Sequence, residues 1–197
     1  MELIDRIDKF NFILASGSPR RKMILESLGL KIELRPKDMD ESYPDHLQAQ
    51  EIPEFLAAKK ALEQIDDLED NEVLITADTV VWINNHVLNK PQDLFEAATM
   101  LQEISDSKHI VYTAVCVGTK NKSIVFSEKT EVTFHPLTNK EIEFYLNLYS
   151  PLDKAGAYGI QEFIGYIGIK KIKGDFYNVV GFPVQRFWKE LERFLPD

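Results

Sequence analysis

The chain has 197 residues, of which 44% are apolar and 28% charged, and this composition excludes a disordered or fibrous protein. Its formal net charge of −9 argues against functions that depend on broad attraction to nucleic acid or to an anionic membrane surface. The sequence has no run of about 18 consecutive apolar residues, and residues 1–10 do not resemble a secretory signal. We therefore expect a globular cytoplasmic protein that binds neither nucleic acid nor membrane.

A single domain is predicted over residues 1–197, because the length suits one domain and no linker or repeat divides the chain. Strand-like and helix-like segments alternate from end to end, which is typical of an α/β fold. The one cysteine, Cys116, lies in the apolar run 111–117 and is predicted to be a buried thiol. A lone buried thiol suits a reducing compartment.

The first half of the chain alternates strands and helices. In chain order the patterns predict a strand at 11–15, a helix at 20–28, a strand at 31–35, a helix at 53–68 and a strand at 73–83 that enters a hairpin at 84–85. Ser18 is a good N-cap for the first helix, and Gly29 is a good C-terminal stop. The apolar stripe of the second helix is predicted to contain Phe55, Ala58, Leu62 and Ile65. On that helix Lys59 would lie at the edge of the stripe and Lys60 nearly opposite it.

The second half continues the alternation. The patterns predict a helix at 93–105, strands at 109–118 and 124–134, a helix that opens with a capping box at 138–141 and stops at Pro151, two short strands around 173–175 and a final helix. The final helix should turn inward Val184, Phe187, Trp188, Leu191 and Leu195. The fold class predicted from these elements is α/β.

The segment Ser16-Gly17-Ser18-Pro19-Arg20-Arg21 is the strongest local signal for a binding site. It places a tight turn between a strand and the N-terminus of a helix, where free backbone N–H groups attract anions. The hydroxyls of Ser16 and Ser18 could donate to phosphate oxygens, and two guanidinium groups add charge. The alternative is an ordinary helix start with two solvated arginines.

Asp78 interrupts a run of apolar residues in the strand at 73–83. Burying an unpaired carboxylate costs several kcal/mol, so we expect Asp78 to hold a metal or to accept a proton. The alternative is an Asp that caps the backbone at a strand bend. The acidic loop that contains Asp40 and Glu41 offers oxygen ligands suited to Mg²⁺ or Mn²⁺, although its composition by itself favours a solvated loop.

Two lysines and one loop are further candidates for nucleotide or phosphate contacts. Lys60 could clamp phosphates if its helix face lines a site, and Lys90 follows the hairpin at a strand end. The segment at 153–161 mixes small residues with Gln161, whose amide could read a base edge. The four histidines are scattered without metal-ligand spacing, which argues against a zinc hydrolase.

Taken in order, several of these segments resemble the Maf family of nucleoside triphosphate pyrophosphatases. The resemblance runs from Phe12 to about Leu191. Its segments are SGSPRR at 16–21, DE at 40–41, KKA at 59–61, ADTVV at 77–81, KP at 90–91, DKAGAYGIQ at 153–161 and VGFP at 180–183. Each segment is weak by itself, and the ordered set is specific.

The resemblance implies a mixed twisted sheet with flanking helices and a central cleft, similar to the fold of inosine triphosphatases. It also implies an enzyme that uses a divalent metal (Mg²⁺, Mn²⁺ or Co²⁺) to split a nucleoside triphosphate into the monophosphate and pyrophosphate. The residues of these motifs resemble those of the branch that acts on dTTP and UTP more than those of the branch that acts on 7-methyl-GTP. Family members are commonly homodimers. The alternatives are the same cleavage on 7-methyl-GTP or another nucleotide and, because the family is also associated with septum formation, a non-catalytic regulator of that process.

The resemblance also implies roles for individual residues. Asp78 is the proton acceptor, and the choice of base belongs to Arg20, Thr79 and Gln161. The residues with implied phosphate or metal roles are Ser16, Arg21, Asp40, Lys60 and Lys90. From the residues themselves we add Ser18 as a phosphate ligand and Asp78, Asp40 and Glu41 as a metal set. One position departs from the family pattern, because Lys59 stands where a Glu is usual.

Overall fold

The structure, a computed structural model, describes residues 2–196 and contains a seven-stranded mixed sheet with helices packed against it. The strands are β1 Asn11–Leu14, β2 Ile32–Leu34, β3 Glu72–Ile83, β4 His86–Leu88, β5 Lys108–Thr119, β6 Lys122–Phe134 and β7 Ile169–Lys173. The helices are α1 Leu3–Ile7, α2 Pro19–Ser27, α3 Glu51–Leu62, α4 Leu94–Ile104, α5 Asn139–Tyr149, α6 Phe163–Gly168, α7 Phe176–Val180 and α8 Val184–Phe194. Short 3₁₀ turns occur at Ile65–Asp67 and Ala155–Ala157.

The sheet combines parallel and antiparallel pairs. Its strand order is β2-β1-β3-β5-β6-β7, with β4 paired to β3. Strand β1 is parallel to both β2 and β3, whereas β4 is antiparallel to β3 and β7 is antiparallel to β6. The α/β class and the mixed sheet predicted from the sequence are therefore confirmed.

The described chain falls into two compact units. The first contains the residues up to Asp78, Thr113–Glu128 and the residues from Gly181 onward. The second contains Thr79–Tyr112 and Lys129–Val180. Strands β3, β5 and β6 each contribute residues to both units. The single domain over 1–197 stays a prediction. Between Glu2 and Pro196, no helix combines the length and the apolar composition that crossing a membrane requires.

The first unit has apolar side chains packed on both faces of strand β1. Phe12 and Leu14 belong to one buried cluster, which also includes residues of α8, and Ile13 belongs to a second cluster with Cys116. A strand that is buried on both faces reads as a continuous apolar run, as this one does. Cys116 is buried, which confirms the prediction from the sequence, and burial raises the pKa of its thiol to about 11.

The second unit contains α4 to α7 and an aromatic cluster of His109, Phe134 and Tyr158, whose ring centroids lie 5.2–5.7 Å apart. The side chain of Asp93 caps α4 by accepting from the backbone of Glu96, and the predicted capping box opens α5. The hairpin before β4 turns through two asparagines with positive φ angles, as its sequence predicted.

Two predictions about local structure are wrong, and one helix was not predicted. The buried face of α3 contains Ile52, Pro53, Leu56, Ala57 and Ala61, whereas Phe55 is 37% and Leu62 72% exposed. The segment after Gly174 forms helix α7 instead of a second short strand. Helix α1 was not predicted, because five residues of mixed charge carry no clear helical period.

Candidate active site

The turn between β1 and α2 is built by two serines. The Ser18 hydroxyl accepts a hydrogen bond from the backbone N–H of Arg21 at 3.5 Å, which confirms the predicted N-cap. The Ser16 hydroxyl accepts from the backbone N–H of Ser18 at 3.2 Å and from Nη1 of Arg21 at 3.3 Å. These bonds hold both hydroxyls at the N-terminus of a nine-residue helix, where free N–H groups favour an anion.

Arg21 connects this turn to two distant backbone segments. Its Nε donates to the carbonyl of Gly181 at 2.9 Å, and its Nη1 donates to the carbonyl of Ala77 at 2.8 Å. Burial lowers the pKa of Arg21, and the carboxylate of Asp78 opposes that change. The structure therefore gives Arg21 a clamping role in the fold, and the phosphate contact implied by the resemblance stays a prediction.

Asp78 lies within β3 and is only 7% exposed. Its Oδ1 atom accepts from Nζ of Lys60 at 2.7 Å. Burial raises the pKa of Asp78, while the charges of Lys60 and Arg21 act in the opposite direction. A buried carboxylate with a raised pKa and a cationic partner has the properties of a general base.

Lys60 joins two of the three acidic candidates, Asp78 and Glu41. Its Nζ donates to Asp78 and also to Oε1 of Glu41, each at 2.7 Å, and its side chain is 13% exposed. The prediction that Lys60 points away from the apolar face is wrong, because the buried face of α3 is centred on Leu56 and Ala57. At 100° per residue, Lys60 falls on that face, one turn beyond Leu56.

Asp40 of the acidic loop and Lys59 of α3 form a separate cluster. The Asp40 carboxylate accepts from the backbone N–H of Ser42 at 2.9 Å and from its hydroxyl, and these bonds lower the pKa of Asp40. The Nζ of Lys59 donates to the carbonyls of Asp40 at 2.7 Å and Ser42 at 3.1 Å. Lys59 therefore holds the backbone of the loop that carries Glu41, a role that the sequence did not reveal.

The two carboxylates near Lys60 could supply some of the ligands of a divalent metal, but not a full set. Within residues 2–196, no three side chains of His, Cys, Asp or Glu come together as a set that could hold a metal ion. Asp78 and Glu41 share one ammonium group, and Mg²⁺ is commonly held by one or two carboxylates together with substrate phosphates. The pair therefore fits a metal that binds with the nucleotide.

The remaining candidates, Thr79, Lys90 and Gln161, belong to the second unit. Thr79 directly follows Asp78 on β3 and is half-buried, while Lys90 and Gln161 are exposed. The backbone carbonyl of Gln161 accepts from the hydroxyl of Tyr166 at 2.6 Å. Arg20 is half-buried at the start of α2 in the first unit.

The first unit thus brings together Ser16, Ser18, Arg21, Glu41, Lys60 and Asp78. A buried carboxylate among cations, close to a helix N-terminus, is suited to an enzyme that handles phosphorylated small molecules. The model of the Maf-like protein family matches residues 11–194, and the chain belongs to that family.

Two relatives agree with this assignment, and one solved structure shares the fold. A dTTP/UTP pyrophosphatase from Parabacteroides distasonis is 47% identical over 193 residues, which cover 98% of this chain and 100% of the relative. A dTTP/UTP pyrophosphatase from Flavobacterium psychrophilum is 46% identical over 183 residues, covering 93% and 94%. The Ham1 protein of Staphylococcus aureus has the same fold, with a TM-score of 0.52 and 13% identity over 94% of this chain and 100% of that one. The inosine triphosphatase-like fold expected from the resemblance is therefore confirmed.

Proposed function

We propose that this protein is a nucleoside triphosphate pyrophosphatase that converts dTTP and UTP to the monophosphates and pyrophosphate. The observation that carries the proposal is the buried Asp78 carboxylate, held by Lys60 beside the turn of Ser16 and Arg21. The relatives, which align over nearly the whole chain, are dTTP/UTP pyrophosphatases, and this supports the choice of nucleotides.

The proposed mechanism begins with a water molecule oriented by Asp78. The carboxylate accepts a proton while the water oxygen forms a bond to the α-phosphorus. The bond between the α-phosphorus and the bridging oxygen breaks, and pyrophosphate leaves with the electron pair. Water attacks a polyanionic phosphate slowly, so fixed cations must offset the charge of the triphosphate. Lys60, which already touches Asp78, and Lys90 are proposed for this role.

We propose that a divalent cation, Mg²⁺, Mn²⁺ or Co²⁺, binds with the nucleotide. Asp78 and Glu41 are the ligands that the geometry favours, and Asp40, which bonds to Ser42, is the weaker member of the predicted set. When bound, such an ion neutralises phosphate oxygens as a Lewis acid.

Choice of base is proposed to depend on Arg20, Thr79 and Gln161. An amide and a hydroxyl can donate to and accept from the edge of a pyrimidine. A base that leaves such groups unpaired is rejected strongly, because the polar groups that the base covers lose their hydrogen bonds to water without gaining others.

A panel of nucleotides tests the proposed reaction. Incubation of the protein with dTTP or UTP and Mg²⁺, followed by phosphorus NMR, should yield the monophosphate and pyrophosphate, and a metal chelator should stop the reaction. Release of orthophosphate and a diphosphate would contradict the reaction class. A higher kcat/KM for 7-methyl-GTP than for dTTP would contradict the substrate, and binding without turnover would support a regulator of septum formation.

The pH profile should report the contact between Lys60 and Asp78. The ammonium favours the ionised carboxylate and opposes the effect of burial, so Lys60→Met should raise the pKa of Asp78 further. Because the base acts only when ionised, the acid limb of the kcat/KM profile should move to higher pH. Lys60→Arg should keep the limb closer to its original position.

Lys59→Met is the matched control for this experiment. Lys59 donates to backbone carbonyls of the acidic loop, whereas Lys60 is hydrogen-bonded to Asp78 itself. The control should therefore leave the midpoint of the acid limb in place. Equal midpoints for Lys60→Met and the unmodified protein would show that Asp78 does not set this limb.

The homodimer and the cytoplasmic location stay predictions. The homodimer rests on the family resemblance, and the location rests on composition and on the single buried cysteine. Sedimentation equilibrium of the purified protein would settle the first of these.

A further inference from the structure

The loop that carries Gln161 is closely fitted to the elements around it. It begins at Asp153 and passes through Gly156 and Ala157, whose φ angles are +69° and +57°. A Cβ atom at Gly156 would lie 2.9 Å from a methyl group of Val81, so only glycine fits against the strand here without displacement. The loop is therefore seated on β3, two residues beyond Thr79.

The same loop is bonded to the segment that precedes Lys90. The backbone N–H of Gly156 donates to the carbonyl of Asn89 at 3.2 Å. The loop that carries Gln161 therefore contacts β3 two residues beyond Thr79 and also contacts the residue before Lys90.

A charged network closes the far end of this loop. Oε1 of Glu162 lies 3.0 Å from Nζ of Lys154, and Oε2 accepts from the Tyr145 hydroxyl at 2.5 Å. The hydroxyl oxygen of Tyr145 in turn accepts from the backbone N–H of Gly159 at 3.0 Å. The side chains of Lys154 and Glu162 are only 10% and 20% exposed, and Tyr145 is fully buried.

Each side chain of the network has a complementary partner, since the Glu162 carboxylate faces the Lys154 ammonium and accepts from the Tyr145 hydroxyl. Burial, followed by the nearby Glu162 carboxylate, raises the pKa of Tyr145, so the hydroxyl stays protonated and donates. A buried ion pair is retained at low cost only when hydrogen bonds complete it, and a completed network fixes the positions of the segments that it joins. Here it joins helix α5 to both ends of the segment 154–162.

We propose that Glu162 is a positioning residue for base selection, held by Lys154 and Tyr145 so that its neighbour Gln161 presents one conformation to the nucleotide base. The inference rests on the proposed role of Gln161 in reading the base. The network lies outside the groups assigned to the reaction at phosphorus, so its loss should affect recognition more than turnover.

Glu162→Gln and Tyr145→Phe test this inference, with Glu143→Gln and Tyr177→Phe as controls at exposed positions of the same unit. Each test variant should raise KM for dTTP and UTP about tenfold, which corresponds to about 1.4 kcal/mol, with a smaller change in kcat. The ratio of kcat/KM for dTTP to that for dCTP should fall. The controls should leave both quantities unchanged.

A double-mutant cycle separates positioning from a merely structural role. If Glu162 acts through Gln161, then Glu162→Gln should add little to the loss of selectivity caused by Gln161→Ala. Additive losses, or a lower melting temperature with unchanged KM and selectivity in both test variants, would overturn the inference. If Gln161→Ala by itself leaves selectivity intact, the proposed base-reading role fails and the positioning role fails with it. Unchanged activity on dTTP and UTP in that variant would leave the pyrophosphatase proposal standing.

Discussion

Asp78→Asn is expected to lower kcat for dTTP and UTP about 10²–10⁴-fold, the usual contribution of a general base. The amide has nearly the same shape as the carboxylate but cannot accept the proton of the attacking water. The variant should remain folded, because Lys60 keeps its ion pair with Glu41. Steady-state kinetics with each nucleotide, together with circular dichroism, would measure both parts of this prediction.

The same variant should not lose stability at neutral pH. Burial raises the pKa of Asp78 in the folded protein above its unfolded value. Such a group contributes stability below the unfolded pKa, and that contribution is lost as the pH rises through the folded pKa. Above the unfolded pKa the carboxyl group therefore costs stability, and the amide, which does not ionise, avoids that cost.

Asp70→Asn is a suitable control, because Asp70 is exposed in the loop before β3. It should change neither kcat nor the melting temperature. A near-normal kcat for Asp78→Asn would exclude Asp78 as the base, and a collapse of its stability would mean that the carboxylate serves the fold.

Arg21→Met is expected to destabilise the protein by about 2–6 kcal/mol, because two carbonyls lose a charged donor and each unsatisfied buried acceptor costs about 1–3 kcal/mol. Those carbonyls belong to Ala77, next to the proposed base, and to Gly181 before α8. In Arg21→Lys the lysine is a poor substitute, since one ammonium cannot reproduce the fixed fork of a guanidinium. Urea denaturation of Arg21→Met and Arg21→Lys would measure the loss of stability.

Lys22→Met on the same helix provides the comparison. Lys22 forms a surface ion pair with Glu26 at 3.6 Å, and such pairs contribute about 0–1 kcal/mol. If Arg21→Met proves as stable as Lys22→Met and raises only KM, Arg21 is a phosphate ligand first and a structural clamp second.

Local signals in the sequence were sufficient for most of the elements, although not for α1 or α7, and for the position of the candidate base. Ser18 caps α2 and Thr138 caps α5, because capping depends on residues within one turn of the helix start. The paired asparagines predicted the hairpin for the same reason. Asp78 was conspicuous because a charge inside an apolar strand is costly wherever the rest of the chain lies.

The faces and partners were decided by tertiary structure. Helix α3 has apolar residues around much of its circumference, so the sequence did not distinguish the buried face, and Lys60 was assigned to the wrong side. Arg21 meets the carbonyl of Gly181 across 160 positions of sequence, and no local pattern encodes such a contact.

The choice between adjacent acids also depended on the fold. Glu41 reaches Lys60, while Asp40 turns to Ser42, and only the path of the loop over α3 separates these two outcomes. The amino-acid sequence by itself thus determined the chemistry that this protein has available, through side chains whose burial is expensive or whose capping is local. The tertiary structure decided which of those side chains meet, because hydrogen bonds and ion pairs form over a few ångströms between residues far apart in the chain.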